Sequence, residues 1–533
     1  MLKERKYCLL SLLITSCCFI LLNLVFTPLL NSGDDTYMLY TLGGGYGESP
    51  SNLLHYNYGW HYWLGIIVSK LFQLAPGINW YTILLLLFHL AGCSAVLYVL
   101  LKMMKPQTAI FFFVLLFVFI EARQLLSLSF TGTAFVLAIG AMILLVYQLQ
   151  QSMRLGGTVI FTFGLLLLAG MLRLQIVWLV IALFASVAIT VFNRQQIIRW
   201  GLLVAVLAVS LWGLNKLHEQ YYTRHIDGWK EQEQFRQALF YGYNRQLVNN
   251  AGNGIFTDST EAQLFFAGFL YDSVRFNTEK INKISRGITR NRSFTSKEDL
   301  KGLYWFFIEL RVYIALFAVL IFVLMYQRRY RIIQKWLLSF LAFLAIHAYL
   351  FIYLKVTLPI HYGLLSFLLI ALVLQFKKEE DFFASINKLS IPLAILLVLL
   401  FGWIGKRLVT ENEDNKNKYQ RFLCANNELN MNPDRLFVAT DDAFPLNYFY
   451  IWNTPKQYPA ANLLYKDRLI THTYLQTLKR FGVTNLQEAL LNNKNVFLLG
   501  TALPAVEKRA EPAQLSPPFP VFRCMEVRQL NKK

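Results

Sequence analysis

Charge is what this sequence has least of. Asp, Glu, Lys and Arg make up only 15% of its 533 residues, whereas 56% are hydrophobic. A soluble globular chain is about a quarter charged, so a soluble fold does not fit. Acidic residues are the scarcer sign, 31 against 51 Lys and Arg, for a formal net charge of +20. A nucleic-acid binder gathers such an excess on a soluble domain or arm. Here many basic residues sit in short turns between apolar runs, which is how a membrane protein signals its orientation, and no nucleic-acid partner is expected. Internal repeats and low-complexity stretches are missing. So are CxxC and HExxH spacings, which argues against a dedicated zinc site.

Cysteine is also sparse. Cys8, Cys17, Cys18 and Cys93 lie in apolar runs and read as small buried hydrophobes. Cys424 and Cys524 are the only two beyond the last such run, where an oxidising compartment permits a disulfide between them. The first apolar run, residues 8–30, follows Lys3, Arg5 and Lys6 but is longer than a signal h-region, and no small-residue cleavage site precedes Asp34. It reads as an anchored span with a cytoplasmic N-terminus.

What the chain has instead is length of apolar run. A helix rising 1.5 Å per residue needs roughly 20 residues to cross about 30 Å of hydrocarbon. Runs that approach or reach this length occur at about 8–30, 80–101, 108–119, 129–147, 156–172, 176–192, 198–214, 305–326, 336–354, 359–376 and 391–405. The expected fold is therefore an α-helical polytopic membrane protein with about eleven transmembrane helices in residues 1–405. Its turns carrying Lys102 and Lys105, Arg154, Arg194 and Arg199, Arg328 to Lys335, and Lys377 and Lys378 then all face the cytoplasm. Residues 31–79 and 215–304 become outer loops. Residues 58–74 are apolar enough to cross, but a crossing there would invert every later basic turn. They are read as an interfacial helix on the outer surface, with Trp60, Tyr62 and Trp63 at the headgroup level.

After residue 405 the composition turns polar and mixed, with strand-like runs at 436–439, 496–499 and 521–527, a helix ending near Gly482, and another opened by Thr484 and Gln487 in capping-box spacing. Residues 406–533 are expected to form a small extracytoplasmic α/β domain.

Ionisable groups near a bilayer are costly to desolvate, so their placement is informative. They collect at the outer boundary: Asp34 and Asp35 in Asn31-Ser-Gly-Asp-Asp-Thr-Tyr37, then Glu48, His55 and His61, Glu121 and Arg123 closing the third span, Arg173 in a tight turn, and Lys355 and His361 around another. Bland readings stand beside each: a solvated turn for the aspartates, snorkelling for Arg173, and hydrogen-bonded interfacial roles for His55 and His61. A divalent ion is the one candidate cofactor, with Asp34, Asp35, Glu48 and His55 as its ligands. Gly43 to Gly47 lacks the Lys and Ser/Thr of a phosphate loop and reads as a flexible turn.

This arrangement resembles the GT-C superfamily of integral membrane glycosyltransferases. A first span leads to an outer loop with an acidic motif at Asp34-Asp35, and His55-Tyr-Asn-Tyr-Gly-Trp-His-Tyr-Trp-Leu-Gly65 leads into a surface helix; Phe130-Thr-Gly-Thr-Ala134 and Met171-Leu-Arg173 are similar more loosely. The likeness covers residues 8–376 and lacks a His-Pro-Pro surface-helix motif. It implies transfer of a sugar from a polyprenyl-phosphate-linked donor to a glycan, lipid or protein acceptor outside a bacterial plasma membrane. A carboxylate, with Asp35 favoured over Asp34, would take the proton of the acceptor hydroxyl. Arg123, Arg173 and Lys355 would meet the departing phosphate. Trp229, Tyr243 and Asp272 in the large loop, with Glu48, His55, His61 and His361, would shape acceptor binding. A lipid or glycan transporter and a cell-envelope assembly protein are the rival classes.

Overall fold

The computed structural model describes residues 2–30, 32–54, 60–151, 157–230, 233, 279–280, 283, 297–353, 357–376, 382, 390–439, 443–465, 472–484, 486–499, 510–512, 524, 527–528 and 530–532. The described residues are mostly helical, at 78%. Among the described residues, nine helices are long and apolar enough to cross a membrane. Helix α1 spans Leu2–Val25, followed by a two-residue strand β1 (Leu29–Leu30), α2 (Gly33–Gly43), α3 (Tyr62–Leu74), α4 (Trp80–Met103) and α5 (Pro106–Leu116). A π-helical turn, Phe117–Glu121, carries α5 on into α6 (Ala122–Leu126), after which come β2 (Ser127–Leu128), α7 (Phe130–Gln151), α8 (Gly157–Val191) and α9 (Arg194–His225). The later helices are α10 (Lys297–Tyr326), α11 (Tyr330–Tyr353), α12 (Leu358–Val373) and α13 (Ser390–Asn430).

Apolar residues cover the outside as well as the inside. Leu13 and Leu24 of α1, Ile160 and Ile189 of α8, Val209 and Trp212 of α9 and Ile391 and Val398 of α13 are all exposed. Apolar surface spread over this many helices is far more than a monomeric soluble protein shows, and hydrocarbon is the solvent that accepts it. In contrast α7 is buried along nearly its whole length and forms the axis of the bundle. Helix α4 crosses it backbone to backbone. A Cβ built on Gly140 would lie 2.5 Å from the Gly92 carbonyl oxygen, and one on Gly92 would lie 2.6 Å from that of Val136. Small residues at a crossing let membrane helices gain dispersion contacts that no hydrophobic driving force supplies. Gly140→Val should force α4 and α7 apart and cost about 1–3 kcal/mol. An unchanged thermal unfolding midpoint in detergent would show that the crossing gives way freely.

Helix α8 is long enough to overshoot a bilayer, and it folds back at Arg173, whose backbone is extended (φ −161°, ψ 99°). Both ends of α8 meet the same end of α7. The Gln148 side-chain amide donates to the Thr158 carbonyl (3.2 Å) and the Thr162 hydroxyl (3.1 Å), while Val191 lines a cavity with Gln150 and Gln151. Arg173 lies at the opposite end, where its guanidinium donates to the Thr131 hydroxyl. The tight turn expected between two runs is therefore present, although the hydrogen-bonding pattern reads through it as one helix.

Other boundaries differ from expectation. The third run is helical through to Leu126, so Glu121 and Arg123 do not close it but are buried within it. Trp60 is not at a surface: it is fully buried and stacked on Tyr81 with ring centroids 5.1 Å apart. Helix α13 continues some 25 residues past the end of its apolar part.

Beyond α13 a four-stranded sheet has the order β4 (Leu463–Tyr465), β3 (Leu436–Ala439), β5 (Val496–Leu499), β7 (Val527–Arg528). The first three are parallel and β7 is antiparallel to β5. Helices α14 (His472–Arg480) and α15 (Leu486–Asn492) precede β5, and β6 (Ala510–Pro512) pairs with β8 (Leu530–Lys532). Two of the expected strands have the bounds read from sequence; of the third, 521–527, only Cys524 and Val527 lie among the described residues, and Val527 opens β7. A disulfide joins Cys424 to Cys524, with Cα atoms 5.9 Å apart.

This C-terminal segment is stitched to one end of the bundle. The Thr27 amide donates to Asn412 Oδ1 (2.6 Å), and Asn415 Nδ2 donates to the carbonyls of Thr27 and Leu126. Asn79 Nδ2 donates to the carbonyls of Ile451 and Asn453, and the Leu30 amide donates to that of Phe449.

Candidate functional site

The first turn of α2 carries Asp34 and Asp35. Ser32 caps the helix by accepting from the Asp35 amide, and two acidic residues in the first turn suit the positive end of the helix dipole. Their side chains diverge, as those of neighbouring helical residues must. Asp35 is 0% exposed and its carboxylate accepts from three groups. Its Oδ1 accepts from the Tyr81 hydroxyl (2.7 Å), at the start of α4, and from the Phe130 amide (2.9 Å), the first residue of α7; its Oδ2 accepts from the Ser32 hydroxyl (2.7 Å). Asp34 is partly exposed.

Arg173 completes the group. Its guanidinium lies 5.2 Å from the centre of the Phe130 ring and donates to Thr131, and its charge acts on the Asp35 carboxyl. Thus the acidic motif, the Phe130-Thr131 start of α7 and the Met171-Leu172-Arg173 turn, scattered over about 140 residues of sequence, meet at one place. Tyr81 and Ser32 are the members that sequence reasoning missed. The signal for Ser32 was present, because a Ser three residues before an Asp is the ordinary N-cap pattern; Tyr81 sits in an aromatic-rich apolar run that marks no one residue.

Burial pushes the Asp35 carboxyl up to about 6, against the opposing pull of its three donors and of Arg173. A carboxyl whose pKa is higher folded than unfolded keeps its proton longer in the native state. Its contribution to stability is full below the unfolded value near 3.8 and is lost as the pH rises through about 6, to the extent of about 3 kcal/mol. Thermal unfolding of the wild type should therefore move to lower temperature between pH 4 and pH 7 more than that of Asp35→Asn. Parallel pH profiles for the two proteins would overturn this assignment.

The other candidates are placed elsewhere or engaged. Arg123 is buried between carboxylates, with Nε 2.8 Å from Glu411 and a terminal nitrogen 3.2 Å from Glu309, and its guanidinium lies 5.0 Å from the Tyr362 ring centre. It is a strut between α6, α10 and α13 rather than a cation at the Asp35 group. Glu48 accepts from Arg480 (2.9 Å), which also donates to the Tyr46 and Gly47 carbonyls. Among the described residues, Asp34, Asp35 and Glu48 do not come together closely enough to share an ion. His61 caps α3, donates its amide to the Met171 carbonyl (2.7 Å) and bonds the Leu214 carbonyl through Nε2; burial holds its imidazole below the ordinary value. His361 is hydrogen-bonded to His347 (2.8 Å), and Trp229 is buried against Tyr222. His55, Tyr243, Asp272 and Lys355 lie outside the described residues.

No protein-family model, no curated protein and no solved structure matches the chain.

Proposed function

We propose that this protein is a GT-C-like membrane glycosyltransferase that moves a sugar from a polyprenyl-phosphate carrier to an extracytoplasmic acceptor. In this reading the chain crosses the bacterial plasma membrane eleven times, α8 supplying two of the crossings, with a cytoplasmic N-terminus. The segment after α13 is an extracytoplasmic α/β domain. The observation that carries the proposal is the meeting of the paired aspartates with Arg173 at one end of an apolar bundle. An acceptor hydroxyl attacking the anomeric carbon loses its proton to a carboxylate, and the phosphate that leaves takes up negative charge. Access divides the roles. Asp34, partly exposed, is the base; Asp35, enclosed and triply bonded, positions α2. This reverses the preference for Asp35 drawn from sequence, because a base that no hydroxyl can reach takes no proton.

Arg173 is the donor-phosphate residue of this proposal. Guanidinium can hold phosphate through two parallel bonds and ammonium cannot, so Arg173→Lys should raise the dissociation constant for a polyprenyl-phosphate sugar about tenfold, roughly the 1.4 kcal/mol of one charge-assisted bond. The test of the function is direct: purified protein in nanodiscs, offered polyprenyl-phosphate sugars and followed by mass spectrometry, should release the lipid phosphate and form a glycosylated acceptor. Movement of intact lipid-linked sugar across proteoliposomes, with no bond cleaved, would replace this reading with a transporter.

A further inference from the structure

Inside the bundle, away from the aspartates, three groups with metal-binding chemistry face one another. His89 and Cys93 are one turn apart on α4 and so share a face. Glu121 comes from the π-helical turn between α5 and α6, a local widening that re-aims a side chain and recurs at functional positions. One ligand atom from each of the three lies within 4.8 Å of the others, and all three residues are buried. His89 Nε2 is 2.8 Å from Glu121 Oε2, and the Ser366 hydroxyl of α12 donates to Oε1 (3.0 Å). His89 Nδ1 is buried with no hydrogen-bond partner among the described residues.

We propose that His89, Cys93 and Glu121 bind a zinc-class divalent transition metal ion that ties α4 to the α5–α6 helix. Imidazole, thiolate and carboxylate together suit zinc, whereas magnesium and calcium take oxygen sets. Charge supports the assignment. A dication with one thiolate and one carboxylate sums to zero, the state that a site surrounded by helices in hydrocarbon tolerates best. A simple imidazolium–carboxylate pair is also neutral, but it gives Cys93 no part. The ion would join the two helices without any hydrophobic driving force between them. Neither CxxC nor HExxH spacing marks such a site, because its ligands are shared between two helices and one interval is a single helical turn.

Tag-free protein in detergent, loaded with zinc and desalted, should retain about one zinc per chain. Loaded with cobalt(II) instead, it should show a near-ultraviolet thiolate-to-cobalt charge-transfer band. Cys93→Ser should abolish that band, His89→Gln and Glu121→Gln should each lower zinc retention at least tenfold, and Cys18→Ala should leave both readings unchanged. Wild-type protein that retains no zinc, or a cobalt spectrum with no thiolate band, overturns the proposal without reference to any variant. So does a full complement of metal in folded His89→Gln or Cys93→Ser.

Discussion

Asp34→Asn should lower the rate of sugar transfer by about 10²- to 10⁴-fold, the usual loss when a positioned base is removed. Asn keeps the size and polarity of the side chain, so insertion, donor binding and the cap on α2 should survive. The comparison with Asp35→Asn gives the prediction its edge. Asn at position 35 keeps one oxygen for the Tyr81 hydroxyl and the Phe130 amide but puts a donor where Oδ2 accepts from the Ser32 hydroxyl, so that bond opens. That loosens the cap at the start of α2. Asp35→Asn should thus lose activity together with thermal stability, whereas Asp34→Asn loses activity alone. Equal turnover by Asp34→Asn and wild type would remove Asp34 from the chemistry. Loss of both activity and stability in Asp34→Asn would make it a structural residue.

The second large effect is on stability. Arg123 is enclosed by Glu309, Glu411 and the Tyr362 ring, and Arg407 pairs with Glu309 as well. Removing one partner of a buried ion pair costs about 3–5 kcal/mol because the remaining charges stay desolvated. Glu309 is 37% exposed, which places Arg123→Ala at the lower end, about 3 kcal/mol. At temperatures where the variant stays folded, donor affinity should be unchanged. Arg123→Met with Glu411→Leu should recover part of the loss, since a neutral pair needs no solvation. Weaker donor binding with an unaltered unfolding midpoint would return Arg123 to the phosphate role that the sequence suggested.

How much was legible in advance depended on which physical property wrote the signal. Hydropathy records the solvent around a segment, so the apolar runs could be found and the fold-back at Arg173 followed from two of them sharing one helix. It does not record where a helix ends. The run at 391–405 ends where polar residues begin, yet α13 continues to Asn430, because leaving the bilayer gives the backbone no reason to stop being helical. The same holds for α9, which runs past Leu214 to His225. Strands β3 and β5 were readable as short, continuously apolar runs and are buried along their whole length; β4 was missed, since Leu463–Tyr465 is too short to show a pattern.

At the site, one of two similar residues is engaged otherwise than its sequence context suggested. Arg123 and Arg173 look alike in sequence, each a cation at the end of an apolar run. The carboxylates that separate their roles, Glu309 and Glu411, lie 186 and 288 residues from Arg123. Such distant pairing leaves no local trace. The aspartates were found because they directly follow the first span; Tyr81, 46 residues from Asp35, left no such trace.

The stitch between Thr27 and Asn412 fixes when one end of this protein can be closed. Those residues are 385 positions apart, and Asn415 reaches the same Thr27 and the end of α6. Translation at about 5–20 residues per second separates their appearance by about 20–80 s. Through that interval Thr27 lacks Asn412, and β1, which leads directly into the aspartate helix, lacks the Phe449 carbonyl. The acidic turn can thus gain its Tyr81 and Phe130 bonds early, while the stretch that leads into it waits for α13 and the segment beyond. A chain whose synthesis stops before α13 has the partners of Asp35 but not the stitch at Thr27, so the closing of this end of the bundle is the step that comes late.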